Sequence, residues 1–152
     1  MNMPNKQDLI GIEFKPFSFE IEKGKIKELV NAIGDNNPIF TSLDAAKEAG
    51  YEGIPIPLTF LNTIDLWGGY GFEEKAEKLK LNRIKVLNGE QEFEYFGDIY
   101  AGDKITVTTI VVHQETKTGS SGKMELITTE NEYRNDQDKL VAISRNVIIN
   151  RT

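Results

Sequence analysis

The chain has 152 residues, a length typical of one domain, and its hydrophobic fraction of 39% and charged fraction of 28% indicate a globular protein rather than a disordered one. It has no cysteine and one histidine, which excludes disulfide scaffolds, thiolate zinc sites, thiol nucleophiles and a histidine-based metal cluster within one subunit. The net charge of −6, without a cluster of lysines among aromatic residues, disfavours nucleic-acid binding. No run of residues resembles a signal peptide or a membrane span, so we expect a cytoplasmic protein without a membrane partner.

The N-terminal part of the chain is predicted to be an arm followed by a strand. Residues 1–9 are mostly polar and contain Pro4, which is typical of a flexible arm, and we expect residues 10–152 to form a single domain. Residues 10–21 (IGIEFKPFSFEI) alternate apolar and polar positions, and the alternation changes parity after Pro16. This pattern predicts a strand with a proline bend.

Two helices are predicted next. In residues 23–33 the apolar positions recur with helical spacing and are Ile26, Leu29, Val30 and Ile33. Gly34 follows as a helix stop. Thr41 and Asp44 have the spacing of a capping box, which predicts a second short helix that ends at Gly50.

Residues 57–67 (PLTFLNTIDLW) form a different kind of helix. Their apolar side chains surround the helical wheel, so we expect this helix to be buried on most sides, with Trp67 in the core. Pro57 suits the first turn, and Gly68 and Gly69 end the helix. We predict that a sheet wraps around it.

The remainder of the chain is predicted to be mostly strands. Residues 70–82 are charged and interrupted by glycine, which indicates a surface crossing with about one helical turn. The segments RIKVL, GEQEFEYFG, KITVTTIVVHQET, KMELITTENEY and KLVAISRNVII are rich in β-forming residues, and GSSG and NDQD supply the turns between the last three. The order predicts an α+β hot-dog fold, an antiparallel sheet wrapped around a central hydrophobic helix, whose exposed edges pair with a second chain.

Three segments carry a family resemblance. Residues 32–40 (AIGDNNPIF) resemble the Gly-Asp-x-Asn-Pro-aliphatic-His signature of MaoC-like dehydratases. Residues 53–60 (GIPIPLTF) are similar to the segment before that family's central helix, in the fatty-acid-synthase-like type that includes subunits of 3-hydroxyacyl-carrier-protein dehydratase. Residues 89–96 (GEQEFEYF), followed by Ala-Gly-Asp at 101–103, are similar to the strand and turn after that helix.

The resemblance implies a dehydratase site in which the signature Asp and His transfer protons and backbone N–H groups at the start of the central helix face the thioester oxygen. It makes Asp35 the catalytic residue, whereas Phe40 occupies the usual His position and cannot carry a proton. The substrate-binding residues that it implies are Asn37, Pro57, Leu58 and Thr59. No metal or cofactor is expected.

A purely structural interpretation competes with the functional one at each of these positions. Asp35 and Asn37 can simply bond to the local backbone of a turn, and Leu58, Thr59 and Asn62 can serve in helix capping and packing. Tyr95 and Phe96 could line an acyl tunnel, but neighbours on a strand face opposite ways, so one is expected in the core and the other exposed. Parity places the only histidine, His113, on a face with core residues of the same strand, which favours a partly buried or rim side chain over a catalytic base. Lys75, Lys78 and Lys80 could form a basic patch that docks a carrier protein, or could belong to an ordinary solvated face.

Three functions therefore stay open. The first is a subunit of an (R)-type 3-hydroxyacyl-thioester dehydratase or enoyl hydratase in fatty-acid metabolism, acting on acyl-CoA or acyl-carrier-protein thioesters. In it the chain mainly binds the acyl group, while a second MaoC-like chain supplies an intact Asp/His pair. The second is a homodimer that binds acyl thioesters without turnover, and the third is a hot-dog thioesterase in which Asp35 activates water.

Overall fold

The computed structural model describes residues 8–151, which contain four helices and five strands. The strands are β1 Glu13–Glu20, β2 Val86–Tyr95, β3 Lys104–Gly119, β4 Gly122–Arg134 and β5 Leu140–Arg151. The helices are α1 Lys23–Ile33, α2 Leu43–Glu48, α3 Phe60–Gly68 and α4 Phe72–Lys78, with a 3₁₀ turn at Pro38–Phe40. None of these helices is long and apolar enough to cross a bilayer.

The five strands form one antiparallel sheet in the order β1-β3-β4-β5-β2. The predicted turns are confirmed. Gly119 pairs with Gly122 across the β3–β4 hairpin, and the Asn135 side chain accepts the backbone N–H groups of Gln137 and Lys139 between β4 and β5. β2 and β1 are the two edges of the sheet, so β2 has one side without a strand partner within the described chain.

Irregularities in two strands follow from single residues. The pairing of β1 with β3 shifts between Phe14 and Phe17, which confirms the bend expected at Pro16, since proline cannot donate to a strand ladder. The two separate strands predicted on either side of residue 89 are instead one strand, β2. The chain stays paired through Gly89 by means of a bulge between Asn88 and Glu90.

The first two helices agree with the sequence in position and differ in detail. α1 covers residues 23–33, and Gly34 caps it in the left-handed conformation at φ 72°. Ile33, expected on the buried face, is exposed because it lies in the last turn, where the helix leaves the core. The cap of α2 is Ser42, whose hydroxyl accepts the Ala45 N–H at 3.2 Å, and not Thr41.

α3 crosses the concave face of the sheet and carries the centre of the main core. Phe60, Leu61 and Ile64 are fully buried there, which confirms the predicted wrapped helix. The expectation that α3 is buried on nearly all sides is wrong, because Leu66 is 73% exposed and Trp67 is 67% exposed. The sheet covers one face of α3, and the opposite apolar face stays uncovered.

A second core cluster lies beside the first. Ala76 of α4 and the following Leu79 and Leu81 are buried against Val111, Ile127 and Ile148 of the sheet. The segment 70–82 is therefore not the surface crossing that its charge suggested. Most of its charged residues face outward, Lys75 and Lys78 are half-buried, and its few apolar residues cover the half of the sheet that α3 leaves open.

The N-terminal arm predicted over residues 1–9 lies mostly outside the described residues. At its end Leu9 is buried in the second core cluster. The Leu9 N–H donates to Oε1 of Gln114 at 2.8 Å. The contacts of the domain thus include Leu9, one residue before the predicted boundary.

The close contact of α3 with β1 yields a stability prediction. A Cβ atom on Gly68 would lie 2.6 Å from the Phe19 ring, which is too close unless this ring or the end of α3 shifts. We expect Gly68→Ala to lower the free energy of unfolding by about 1–3 kcal/mol in urea denaturation, as overpacking commonly does. Gly71→Ala is the matched control, because its Cβ would have no neighbour within 4 Å. Equal stabilities of the two variants would contradict this packing.

Candidate functional site

Two cavities lie against α3. The first, of about 300 Å³, is at the beginning of the helix and is lined mainly by Phe40, Tyr51, Pro55, Ile56, Leu58 and Tyr95. The second, of about 400 Å³, lies under the C-terminal half of α3 and has a more polar wall, with Asn62, Asp65, Lys75, Gln91, Asn131 and Asn146 among its residues. We call them the apolar cavity and the Asp65 cavity.

The signature loop uses its polar side chains on its own backbone. Oδ1 of Asp35 accepts the Asn37 N–H at 2.9 Å, and Oδ1 of Asn37 accepts the Ile39 N–H at 3.2 Å. These two bonds start the 3₁₀ turn that carries Phe40. Asp35 is half-buried and Asn37 is exposed, and neither lines the apolar cavity.

Phe40 and Leu58 are the two predicted site residues that the structure brings together. Phe40 packs against the main core and forms part of the wall of the apolar cavity. Leu58 lines the same cavity with a side chain that is 70% exposed. Pro57 is buried and Thr59 is exposed, and both lie outside the lining, so their contacts with substrate remain predictions.

Tyr95 fixes the approach to α3. Its hydroxyl donates to the Leu58 carbonyl at 2.6 Å, and the Phe60 N–H donates to the Pro57 carbonyl at 2.9 Å. The Thr59 side chain makes no capping hydrogen bond, and the Asn62 N–H donates to the Thr59 carbonyl at 3.1 Å, so two of the first N–H groups of α3 already have backbone acceptors. Tyr95 packs against the core and Phe96 is exposed, as the alternation predicted.

One carboxylate on the wall of the apolar cavity was missed from the sequence. Asp98 lines this cavity and accepts a hydrogen bond from the Tyr100 hydroxyl at 3.1 Å. It follows the quoted β2 motif directly, within a short turn, where an Asp is ordinarily read as a turn residue. Its presence gives this cavity an acidic group that Asp35 does not provide.

The only histidine lies away from both cavities. The pairing of β3 with β4 shifts between Val111 and His113, so the face expected from parity is wrong beyond that bulge. Val111 is buried, whereas the His113 side chain is 61% exposed and lies 3.9 Å from a carboxylate oxygen of Glu115. A bulge adds one residue and reverses the faces of every residue that follows.

The three lysines expected to form a docking patch lie in different surroundings. Lys75 lines the Asp65 cavity. Lys78 donates to the Glu13 carbonyl and lies 4.8 Å from the centre of the Phe14 ring. Lys80 is exposed, in a left-handed turn at φ 53°. They do not form one basic face.

Asp65 is the functional candidate that the sequence analysis overlooked. Its carboxylate accepts the Tyr133 hydroxyl at 2.8 and 2.9 Å and the Asn131 amide at 2.9 Å. The network continues inward, where Ser144 lies 2.9 Å from the Tyr133 hydroxyl and Thr109 donates to Asn131 at 2.6 Å. An acidic residue in the apolar run LNTIDLW, together with polar residues at inward positions of β4 and β5, was the available signal.

Burial controls the protonation of this network. It raises the pKa of Asp65 to about 6, against the hydrogen bonds from Tyr133 and Asn131 and the charge of Lys75. The nearby C-terminal end of α3 also disfavours a carboxylate. Burial lowers the pKa of Lys75 and raises that of Tyr133, in the second case with help from the charge of Asp65.

The chain is similar to known proteins in sequence and in fold. The sequence model of the family described as "FAS1-like, dehydratase domain region" matches residues 8–144. A UPF0336 protein of Parafrankia sp. (strain EAN1pec) is 31% identical over 141 residues, covering 92% of this chain and 90% of the relative. Among solved structures, the HadBC (3R-hydroxyacyl-ACP dehydratase) complex of Mycobacterium tuberculosis is similar with a TM-score of 0.77 at 21% identity, covering 95% of this chain and 98% of that chain.

The fold comparison extends to hydratases. The (R)-hydratase from A. caviae involved in PHA biosynthesis is similar with a TM-score of 0.68 at 12% identity, covering 95% of this chain and 98% of that chain. The fold is thus the hot-dog fold of MaoC-like dehydratases, as the sequence predicted. The chain belongs to the FAS1-like dehydratase domain region family.

The raised pKa of Asp65 gives a test by pH. Because the pKa is about 6 in the folded state and 3.8 as a model value, protonated Asp65 stabilises the fold below about pH 4 and this stability is lost as the pH rises through 6. The free energy of unfolding of wild type should therefore fall relative to Asp65→Asn between pH 4 and pH 7, by at most about 3 kcal/mol. Urea denaturation across this range measures it, and Asp44→Asn, an exposed position in α2, is the control. A constant difference between wild type and Asp65→Asn would show that Asp65 titrates normally.

Proposed function

We propose that this chain is the acyl-binding subunit of an (R)-type 3-hydroxyacyl-thioester dehydratase or enoyl hydratase in fatty-acid metabolism. Its family membership and hot-dog fold support the reaction class. The observation that carries the proposed division of labour is Phe40, a hydrocarbon side chain on the wall of the apolar cavity, at the position where the family signature has its proton-carrying histidine.

The reaction sets clear requirements for the site. In dehydration a base takes the C2 proton of the thioester, the electron pair forms the C2–C3 double bond, and the C3 hydroxyl leaves with a proton as water. Hydration is the reverse. During either direction the thioester oxygen gains negative charge, which unpaired N–H groups at a helix start can stabilise.

This chain can supply part of those requirements. The apolar cavity offers a wall for the acyl chain, and the hydrogen bond from Tyr95 to the Leu58 carbonyl holds the backbone at the start of α3. Phe40 can position an acyl group but can neither accept nor donate a proton. The acid–base pair is therefore assigned to a second MaoC-like chain with an intact Asp/His signature.

Two exposed surfaces support association with such a chain. β2 is an edge of the sheet, and unpaired strand edges are ready to pair with another chain. α3 presents Leu66 and Trp67 to solvent on the face that the sheet does not cover. The HadBC structure, to which this fold is similar, is itself named as a complex. A cytoplasmic location and the choice between acyl-CoA and acyl-carrier protein remain predictions.

The activity prediction follows from the missing proton carrier. Purified alone, the chain should hydrate crotonyl-CoA and longer enoyl-CoAs at least about 10²-fold more slowly than the assembled pair with a MaoC-like chain that has an intact signature, since a positioned acid or base contributes about 10²–10⁴-fold. Loss of the enoyl absorbance measures both rates. Phe40→His should raise the rate of the chain alone, provided that the cavity still accepts substrate.

Two outcomes would contradict this assignment. One is robust turnover by the chain alone that Asp35→Ala abolishes and His113→Ala leaves unchanged, which indicates a one-carboxylate mechanism and favours the thioesterase. If Asp98→Asn abolishes this turnover instead, the catalytic carboxylate is Asp98 in the apolar cavity. The other is tight acyl-thioester binding without turnover in any assembly, which favours the binding homodimer.

The association prediction is tested by light scattering. We expect the chain at micromolar concentration to form a particle of twice its mass of 17.2 kDa or to join a partner chain in a particle of that size class. Trp67→Glu should weaken the association, because it puts a charge on the uncovered face of α3. Leu43→Glu, at an exposed position of α2, is the control. A monomer under all conditions would contradict the proposed interface.

A further inference from the structure

The Asp65 cavity is a second space of ligand size that the proposed acyl site leaves unused. Its volume of about 400 Å³ falls in the range of small-molecule sites. It shares no lining residue with the apolar cavity. Within the described chain it lies between the two core clusters, where polar side chains of the sheet replace apolar ones.

Asp65 retains acceptor capacity toward this space. Oδ1 accepts the Tyr133 hydroxyl, and Oδ2 accepts the same hydroxyl and the Asn131 amide. The Tyr133 hydroxyl has a single hydrogen, which these two contacts share. Because a carboxylate has about four acceptor positions, at least one stays open to a donor from the cavity.

Lys75 faces the same cavity from α4. Its charge and that of Asp65 attract each other, yet none of the ion pairs found among residues 8–151 joins them within 4.0 Å. The cavity therefore has an acceptor on one wall and a three-hydrogen donor on another. A group that both donates and accepts would bond to both.

Asn146 adds an unmet requirement for a donor. Its amide donates to Oε1 of Gln91 at 2.7 Å. Its own Oδ1 is inaccessible to solvent and has no hydrogen-bond partner among the described residues. A buried acceptor without a donor costs about 1–3 kcal/mol, but this oxygen is closed to solvent, so the ligand contacts are assigned to Asp65 and Lys75.

The charges restrict the chemistry of the ligand. Lys75 repels a cation, Asp65 in its carboxylate form repels an anion, and the side chains of Phe17, Leu66 and Phe72 offer contact to an apolar body. We propose that the Asp65 cavity binds small neutral alcohols with an apolar body, whose hydroxyl donates to Asp65 and accepts from Lys75. This site is separate from the acyl-thioester site and does not depend on it.

Side-chain amides provide the readout. Residues Asn62, Asn88, Gln91, Asn131 and Asn146 line the cavity, and their NH₂ resonances report directly on its occupancy in ¹⁵N-labelled protein. Benzyl alcohol is the probe, with benzylamine and benzoate as matched cation and anion. We expect saturable shifts of these resonances with benzyl alcohol at neutral pH, and binding about tenfold weaker for the other two.

Variants separate recognition from packing. Asp65→Asn and Lys75→Met should each weaken binding of benzyl alcohol by about tenfold, the value of one hydrogen bond to a charged group. Asp44→Asn, at an exposed position of α2 outside the cavity lining, is the control and should leave the affinity within about twofold. Lys75→Met keeps the test valid if Asp65→Asn fails to fold.

The proposal is overturned by either of two results. The first is the absence of saturable shifts at the solubility limit of benzyl alcohol. The second is equal affinity for all three probes together with unchanged affinity in both variants, which would show an apolar cleft without recognition of the hydroxyl.

Discussion

The packing of α3 on the concave face of the sheet is the contact on which the remaining structure depends. Phe60, Leu61 and Ile64 are fully buried on that face, and each such side chain contributes about 1.5–3 kcal/mol relative to exposure. With this face fixed, helical spacing directs Asp65 to the cavity beneath the C-terminal half of α3, whereas Leu58, two residues before the helix begins, lines the apolar cavity. One helix thereby separates an apolar environment from a polar one.

The same contact explains how much of the fold the sequence predicted. Periodicity located α1, α3 and the strands, because each buries a regular stripe of apolar residues. Periodicity did not predict that Trp67 is exposed, because an apolar helical wheel does not distinguish a face buried within the same chain from a face that a partner chain covers. It failed for His113 because the bulge after Val111 leaves no clear mark in the sequence. The buried residues of α4 were hidden by the charges around them.

The candidate site was predicted only in part, and the reason is local. The side chains of the signature residues Asp35 and Asn37 accept backbone N–H groups of their own loop. The motif therefore accounts for a turn, and its presence in the sequence does not by itself place these side chains in a cavity. The departure at Phe40 was visible in the sequence, and the structure adds that Phe40 forms a cavity wall. Asp65 was not predicted as a site residue because most residues around it in α3 are apolar, a pattern that indicates packing in the core. Its partners come from strands about 66 residues or more along the chain, which spacing alone cannot align.

The central claim is that an acyl thioester binds at the start of α3. The most direct measurement is a titration of ¹⁵N-labelled chain with butyryl-CoA, a saturated thioester that cannot be hydrated. The account predicts saturable shifts of the backbone amides of Leu58, Thr59, Phe60 and Phe40, with the side-chain amides of Asn131 and Asn146 unchanged. Saturable shifts confined to the Asp65 cavity, or none at the start of α3, would contradict it.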